Sequence, residues 1–219
     1  MSPKVSRGGT AGQRAREEVS NARRLRQGCI QCPPQPVDNV FGGGKKARDL
    51  WNVTLGEEQY RWFRNTLEGS KARFKFVFAH HVHGTGRGGI ELAEQFEWGG
   101  ADRSGRREFD ARRPGWGKPI HQLMVDNGVT IFFQGHDHLY ARQELNGVVY
   151  QTLPLPADPN YGLYNGQAYR SGTVLPGSGR LRVTVNPGHV TAQYLKSILP
   201  SDVAAQGEGG GIAHTYVAK

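Results

Sequence analysis

Apolar residues fall along this chain in short runs, and two of these runs lead into histidine. Residues 74–79 (Phe-Lys-Phe-Val-Phe-Ala) run straight into His80, His81 and His83, and residues 129–133 (Val-Thr-Ile-Phe-Phe) pass through Gln134 and Gly135 to His136 and His138. Short β-branched and aromatic runs bounded by turn residues predict buried strands. A stretch with helical spacing precedes each. Tyr60, Phe63 and Leu67 recur behind Thr54-Leu55-Gly56-Glu57, which has the form of a capping box, so a helix is predicted over 56–68. Pro119 fits the first position of a second helix, whose Ile120, Leu123 and Met124 share a face and which Asn127-Gly128 stops near Asp126. Helix, strand, histidines, repeated once, is the alternation of an α/β sheet.

Beyond His138 the pattern changes to strands alone. Asn146-Gly147 between residues 139–145 and 148–153 is the strongest short hairpin signal. Residues 180–185 and 189–196 flank Asn186-Pro187-Gly188 as a second hairpin, and 214–217 predict a further edge strand. Between the two histidine runs, residues 90–98 predict a short helix. Residues 99–113 are polar and charged and predict a surface excursion over the site that shapes its entrance.

Residues 1–48 differ from the rest. Arg, Gly, Ser, Gln and Pro dominate there, and such a segment buries too little surface to offset its ordering entropy, although a short helix over 13–26 is allowed. Of the 219 residues, 28 are Lys or Arg and 19 Asp or Glu; 10 of the bases and 3 of the acids lie in 1–48, which leaves 18 against 16 in 49–219. Seven of the net +9 charges therefore belong to the first segment, and the globular part is nearly neutral. Nucleic acid is an expected partner only through that basic segment, and residues 1–40 contain no aromatic side chain on which a base could stack. The simpler expectation is a solvated tail. Cys29 and Cys32 form a lone Cys-x-x-Cys with no second ligand pair nearby. No apolar run approaches the length of a membrane span, and the first residues lack the apolar core of a secretory signal.

Candidate chemistry sits where the two strands end. A lone loop histidine commonly makes a surface hydrogen bond, but two clusters in the same strand-then-loop context can converge on one site if the strands are neighbours. His80, His136 and His138 are then candidate metal ligands, since imidazole is the commonest side-chain ligand of first-row metals and open α/β sheets bind ligands at the carboxyl ends of their strands. The loop Gly84-Thr85-Gly86-Arg87-Gly88-Gly89 could approach a phosphate, with Arg87 pairing its oxygens. It lacks the Lys-Ser or Lys-Thr ending of a nucleotide-binding loop and reads as a flexible rim.

The order of these motifs resembles a known family. Phe-Val-Phe-Ala-His-His at 76–81 resembles a metal-binding motif of the calcineurin-like metallophosphoesterases, and Gly-His-Asp-His at 135–138 resembles their last motif. Thr54-Leu55-Gly56-Glu57-Glu58-Gln59 and Gly147-Val148-Val149-Tyr150 are similar to the purple-acid-phosphatase-like branch. The resemblance spans about residues 51–217 and implies an α/β fold, part of a four-layer α/β/β/α sandwich with two divalent or trivalent metal ions (Fe, Mn or Zn) between its sheets. It implies that His80 and His136 ligate one ion and His138 the other, that His81 and His83 contact substrate or protonate the leaving group, and that Asp137 orients a neighbour or meets solvent. The implied reaction is hydrolysis of a phosphate ester. The family's earlier Asp-x-His (or Asp-x-Gly), Gly-Asp and Gly-Asn-His-Asp/Glu motifs do not occur in residues 1–79. Residues 49–219 thus read as the C-terminal portion of such a domain with its N-terminal half missing, and hydrolysis is expected to be impaired. The alternative is a non-catalytic remnant or a partner-dependent binding protein.

Overall fold

The structure, a computed structural model, describes residues 49–80, 82, 87–158, 160, 162–163, 165–200 and 211–219. The expectations for residues 1–48, including the 13–26 helix and the Cys29/Cys32 pair, and those for His81 and His83, lie outside the described residues.

After a 3₁₀ turn at Leu50–Asn52, helix α1 spans Glu57–Gly69 and strand β1 Phe76–Phe78. Three one-turn helices follow, α2 (Ile90–Ala93), α3 (Phe96–Gly99) and α4 (Phe109–Arg112), then α5 (Ile120–Asp126) and β2 (Ile131–Gln134). The remainder is β3 (Tyr140–Leu145), β4 (Val148–Thr152), β5 (Thr173–Leu175), β6 (Gly179–Val185), β7 (Val190–Lys196) and β8 (Ile212–Ala218). Five strands form one sheet in the order β1-β2-β4-β3-β5, with β1, β2 and β4 parallel and β3 antiparallel to both β4 and β5. The other three form an antiparallel meander, β6-β7-β8.

Strand alternation explains how the layers assemble, because successive side chains point to opposite faces of a sheet. Phe132, Val148 and Tyr150 share a buried cluster with Tyr60, Leu67, Trp98, Trp116, Leu123 and Met124, so the helices cover one face of the five-stranded sheet. Ile131, Phe133 and Val149 instead cluster with Val190, Ala192, Tyr216 and Ala218 of the meander. The fold is mixed α/β, as the patterning predicts; of the two hairpins, both expected to complete a second sheet, only the 180–196 one does so, while the Asn146-Gly147 hairpin extends the sheet that carries the histidine strands. Strand β2, buried at every residue, is the centre of the fold. The Asn146-Gly147 hairpin forms with both turn residues at positive φ (49° and 82°), the requirement of a tight two-residue loop.

Three local expectations are corrected. The predicted capping box does not form. Gly56 occupies the cap with no side-chain hydrogen bond, while the Thr54 hydroxyl donates to Glu97 at 2.5 Å and accepts from Gly56 N–H at 2.9 Å. Second, Pro119 stands just outside α5, as its cap. Third, residues 90–98 do not make one helix. The chain breaks at Phe96, whose φ is 48°, and at Gly99 a Cβ atom would stand 2.1 Å from Glu94 backbone atoms, so the turn closes only with glycine. The excursion 99–113 also does more than skirt the surface: Phe109 packs edge-on against Trp116, and Arg113 joins the buried Glu97 carboxylate to the Trp51 carbonyl.

Candidate functional site

The register of β1 against β2 decides where the histidines meet. Phe78 lies opposite Phe133, and the pairing continues past the strands through Ala79 N–H to Phe133 O (3.1 Å) and Gly135 N–H to His80 O (2.8 Å). That brings His80 opposite Gly135, one residue from His136. His136 Nδ1 stands 3.2 Å from His80 Nε2, with the rings edge to face at 83°. Burial lowers the pKa of His136, only partly opposed by the Asp137 charge, so this ring is held toward its neutral, lone-pair-bearing form.

Backbone conformation at this point is unusual. His136 sits at φ 71° and His138 at φ 58°, both in the left-handed region that side chains disfavour. Asp137 N–H bonds Gly135 O at 2.9 Å, closing a tight turn with His136 at its centre. Such strain persists only where the surroundings enforce it. Here the enforcer is Asp137, a buried carboxylate (2% exposed) that accepts from Arg87 Nη1 at 3.0 Å, Gly88 N–H at 2.8 Å and the Tyr169 hydroxyl at 2.7 Å. Its own carbonyl accepts from Asn165 Nδ2 at 3.2 Å. The structure thus gives Asp137 the orienting role.

Gln134, also buried, supports this turn from beneath. Its Oε1 accepts from Val82 N–H at 3.2 Å, and its Nε2 donates to Gly88 O (3.1 Å) and Thr152 Oγ1 (2.8 Å). Thr152 and Tyr169 hydroxyls lie 3.0 Å apart. Because the Tyr169 proton goes to Asp137, Thr152 must donate to Tyr169. One directed chain therefore runs Gln134, Thr152, Tyr169, Asp137, each hydrogen bond polarising the next. Nothing in the periodicity marks Gln134, Thr152 or Tyr169. A buried run that ends in Gln rather than an apolar residue is the one hint.

The structure brings His80 and His136 together and leaves His138 exposed, near enough for its charge to act on His136. The other described histidines have structural partners: His121 Nδ1 lies 2.8 Å from the Tyr150 hydroxyl, His214 Nδ1 2.7 Å from the Tyr140 hydroxyl, and His189 Nε2 3.3 Å from Asn186 Nδ2. A cavity of about 490 Å³ is lined by residues of the 107–111 and 117–122 segments, and none of the histidines borders it.

Does the pair suit a metal? Two nitrogens bound at about 2.0–2.1 Å to one ion stand about 2.9 Å apart at a right angle and about 3.3 Å at the tetrahedral angle. The 3.2 Å separation of His80 and His136 lies within that interval and is compatible with two ligands of a single first-row ion, and without an ion the same contact is an N–H···N hydrogen bond between the rings. Among the described residues no group of three His, Cys, Asp or Glu side chains is placed to hold a metal ion. Asp137, the nearest carboxylate in sequence, is turned into its own network. The described residues therefore bring two imidazole nitrogens together without a third His, Cys, Asp or Glu beside them. No helix among them is long and apolar enough to cross a membrane. No family model matches the chain, and no curated protein matches it.

Proposed function

We propose that this chain is the C-terminal portion of a metallophosphoesterase, a metal-dependent hydrolase of phosphate esters, and that His80 and His136 are ligands of one metal ion. The observation that carries it is the close pairing of two imidazoles at the carboxyl ends of adjacent parallel strands, one of them on a strained turn that a buried carboxylate holds in place. On this proposal the fold is part of a four-layer α/β/β/α sandwich whose N-terminal half is missing, and the bound metals are two Fe, Mn or Zn ions. Such ions, when bound, lower the pKa of a water and offset charge on the phosphoryl oxygens. The chain's own residues do the rest. His136, held toward its neutral form by burial, would offer a lone pair from a ring carried on the turn that Asp137 holds; the exposed His138 would serve a second ion; and His81 and His83 would contact substrate or protonate the leaving group.

Metal content and turnover of p-nitrophenyl phosphate with added Mn, Fe or Zn test the proposal. Wild-type protein should bind up to two equivalents, one of them through His80 and His136, and turn over slowly, and His136→Ala should weaken binding of that ion by more than about tenfold and abolish turnover, since even supporting residues of metal sites cost 10–100-fold. Equal metal content and turnover in wild type and variant would rule out this centre.

One observation favours a second reading, that the chain works only with a partner. Strand β1, which delivers His80, has a single neighbour among the described strands, and Phe78 at its end is 72% exposed. A strand from another chain could add to that edge and bring further ligands. Turnover that appears only on adding a second polypeptide would establish this reading.

A further inference from the structure

We infer that Arg87 is the anion-binding residue of this site, presenting one free edge of its guanidinium to a phosphoryl group beside the His80/His136 pair. This rests on the phosphate-ester proposal for the ligand's class, while the geometry stands on its own. Arg87 spends a single nitrogen on the protein: Nη1 donates to Asp137 Oδ1 at 3.0 Å and more weakly to His136 O at 3.4 Å. Its Nε and Nη2 make no hydrogen bond to the described residues, and its side chain is 46% exposed where Asp137 is 2% exposed. Gly88, the next residue, bonds the other oxygen of the same carboxylate at 2.8 Å. Backbone and side chain of one dipeptide thus clamp Asp137 together, which anchors the guanidinium beside it through Nη1.

With Nη1 occupied, the edge that remains is Nε–Nη2, two parallel N–H donors in one plane. That edge matches two oxygens of a phosphoryl group, the recognition for which arginine is suited and lysine is not. Asp137 does not neutralise this edge outright, because its charge is shared with Gly88 N–H and the Tyr169 hydroxyl as well. Arg87 also touches the His136 carbonyl, so the same Asp137 that sets the metal-ligand turn sets the anion site, and the two are held in register. The glycine-rich loop that reads as a flexible rim in the sequence therefore ends in an anchored residue.

Titration of the full chain with inorganic phosphate by calorimetry, with Mn and again with chelator, tests this alongside the KM for p-nitrophenyl phosphate. Arg87→Met should weaken phosphate binding about 10- to 100-fold in both conditions, the worth of one or two charge-assisted hydrogen bonds, and raise KM more than it lowers kcat. Because Arg87→Met leaves Asp137 short of a partner, Arg87→Lys and the double variant Arg87→Met/Asp137→Asn are measured too, with circular dichroism to establish folding; Lys should recover only part of the affinity. Absence of phosphate binding by wild type, or affinity unchanged in the folded variants, would overturn the inference, as would phosphate binding lost in His136→Ala but kept in Arg87→Met. Phosphate binding that depends on Arg87 without any hydrolysis would uphold the anion site and sink the hydrolase. Hydrolysis with a KM indifferent to Arg87 would do the reverse.

Discussion

At Asp137 a single side chain decides whether two histidines are presented or scattered. Both neighbours, His136 and His138, have positive φ, and each would relax toward extended backbone were the carboxylate not gripped by three donors. Tyr169 is the donor most easily removed without disturbing the chain. It is buried, burial pushes its hydroxyl pKa well above the ordinary value, and it stays protonated to serve Asp137. Tyr169→Phe should therefore cost about 1.5–3 kcal/mol, the range for a hydrogen bond to a charged group, as read from the urea midpoint at pH 7.5. A loss below about 0.5 kcal/mol would mean that water replaces the hydroxyl and that the directed chain from Gln134 does not hold the turn. Residue chemistry of this kind is where the sequence was least informative. The Gly-His-Asp-His segment announces its histidines, but the partners of Asp137 come from positions 87, 88 and 169, and only the fold brings them together.

Elements were more legible, because each strand or helix carries its own period. The ends of β1 and β2, the hairpin at Asn146-Gly147, the 56–68 helix and the β6/β7 pair all follow from alternation, glycine and helical spacing, to within a residue or two. Two of the failures share one cause. Thr54 and residues 90–98 looked locally helical, yet buried Glu97 recruits Thr54 Oγ1, Leu55 N–H and Arg113, and that tertiary demand outweighs local propensity. Helix α5 carries a similar hidden demand. Its His121 is buried against β4, with Nδ1 at Tyr150 and Nε2 without a partner, and burial lowers its pKa, opposed only weakly by Glu94. A histidine kept neutral in the folded state contributes stability that is complete above its unfolded pKa of about 6.5 and is lost as pH falls through that value toward the lower folded one. The urea midpoint should therefore drop between pH 7 and pH 5.5, and His121→Phe should flatten part of the drop. Burial lowers His136 and His214 in the same direction, so the difference between wild type and variant, not the slope alone, isolates His121. An identical slope in both proteins would show that α5 yields to let the charged ring reach water.

Across the whole molecule, the five-stranded sheet has β1 and β5 as its edges among the described residues, and of these β1 contrasts most with the buried centre. At β2, two layers bury both faces, whereas β1 next to it has only intermediate and exposed residues. A parallel strand is usually covered on both faces, since crossover connections place helices there. The contrast is sharpest between two stacked rings, Phe78 at 72% exposure and Phe133 at 4%, whose centroids are 4.8 Å apart. If the described residues are all that meets β1, Phe78→Ser removes little buried area and should cost under about 1 kcal/mol, while Phe133→Ala opens a core cavity and should cost about 3–5 kcal/mol. Urea unfolding of the two variants, at two protein concentrations a hundredfold apart, measures both. Comparable losses for the two, or a Phe78→Ser loss that appears only at the higher concentration, would mean that the outer side of β1 is covered in solution. The histidine pair would then belong to a larger sheet than this chain supplies, and metal binding should be sought in that assembly before the isolated chain is judged inactive.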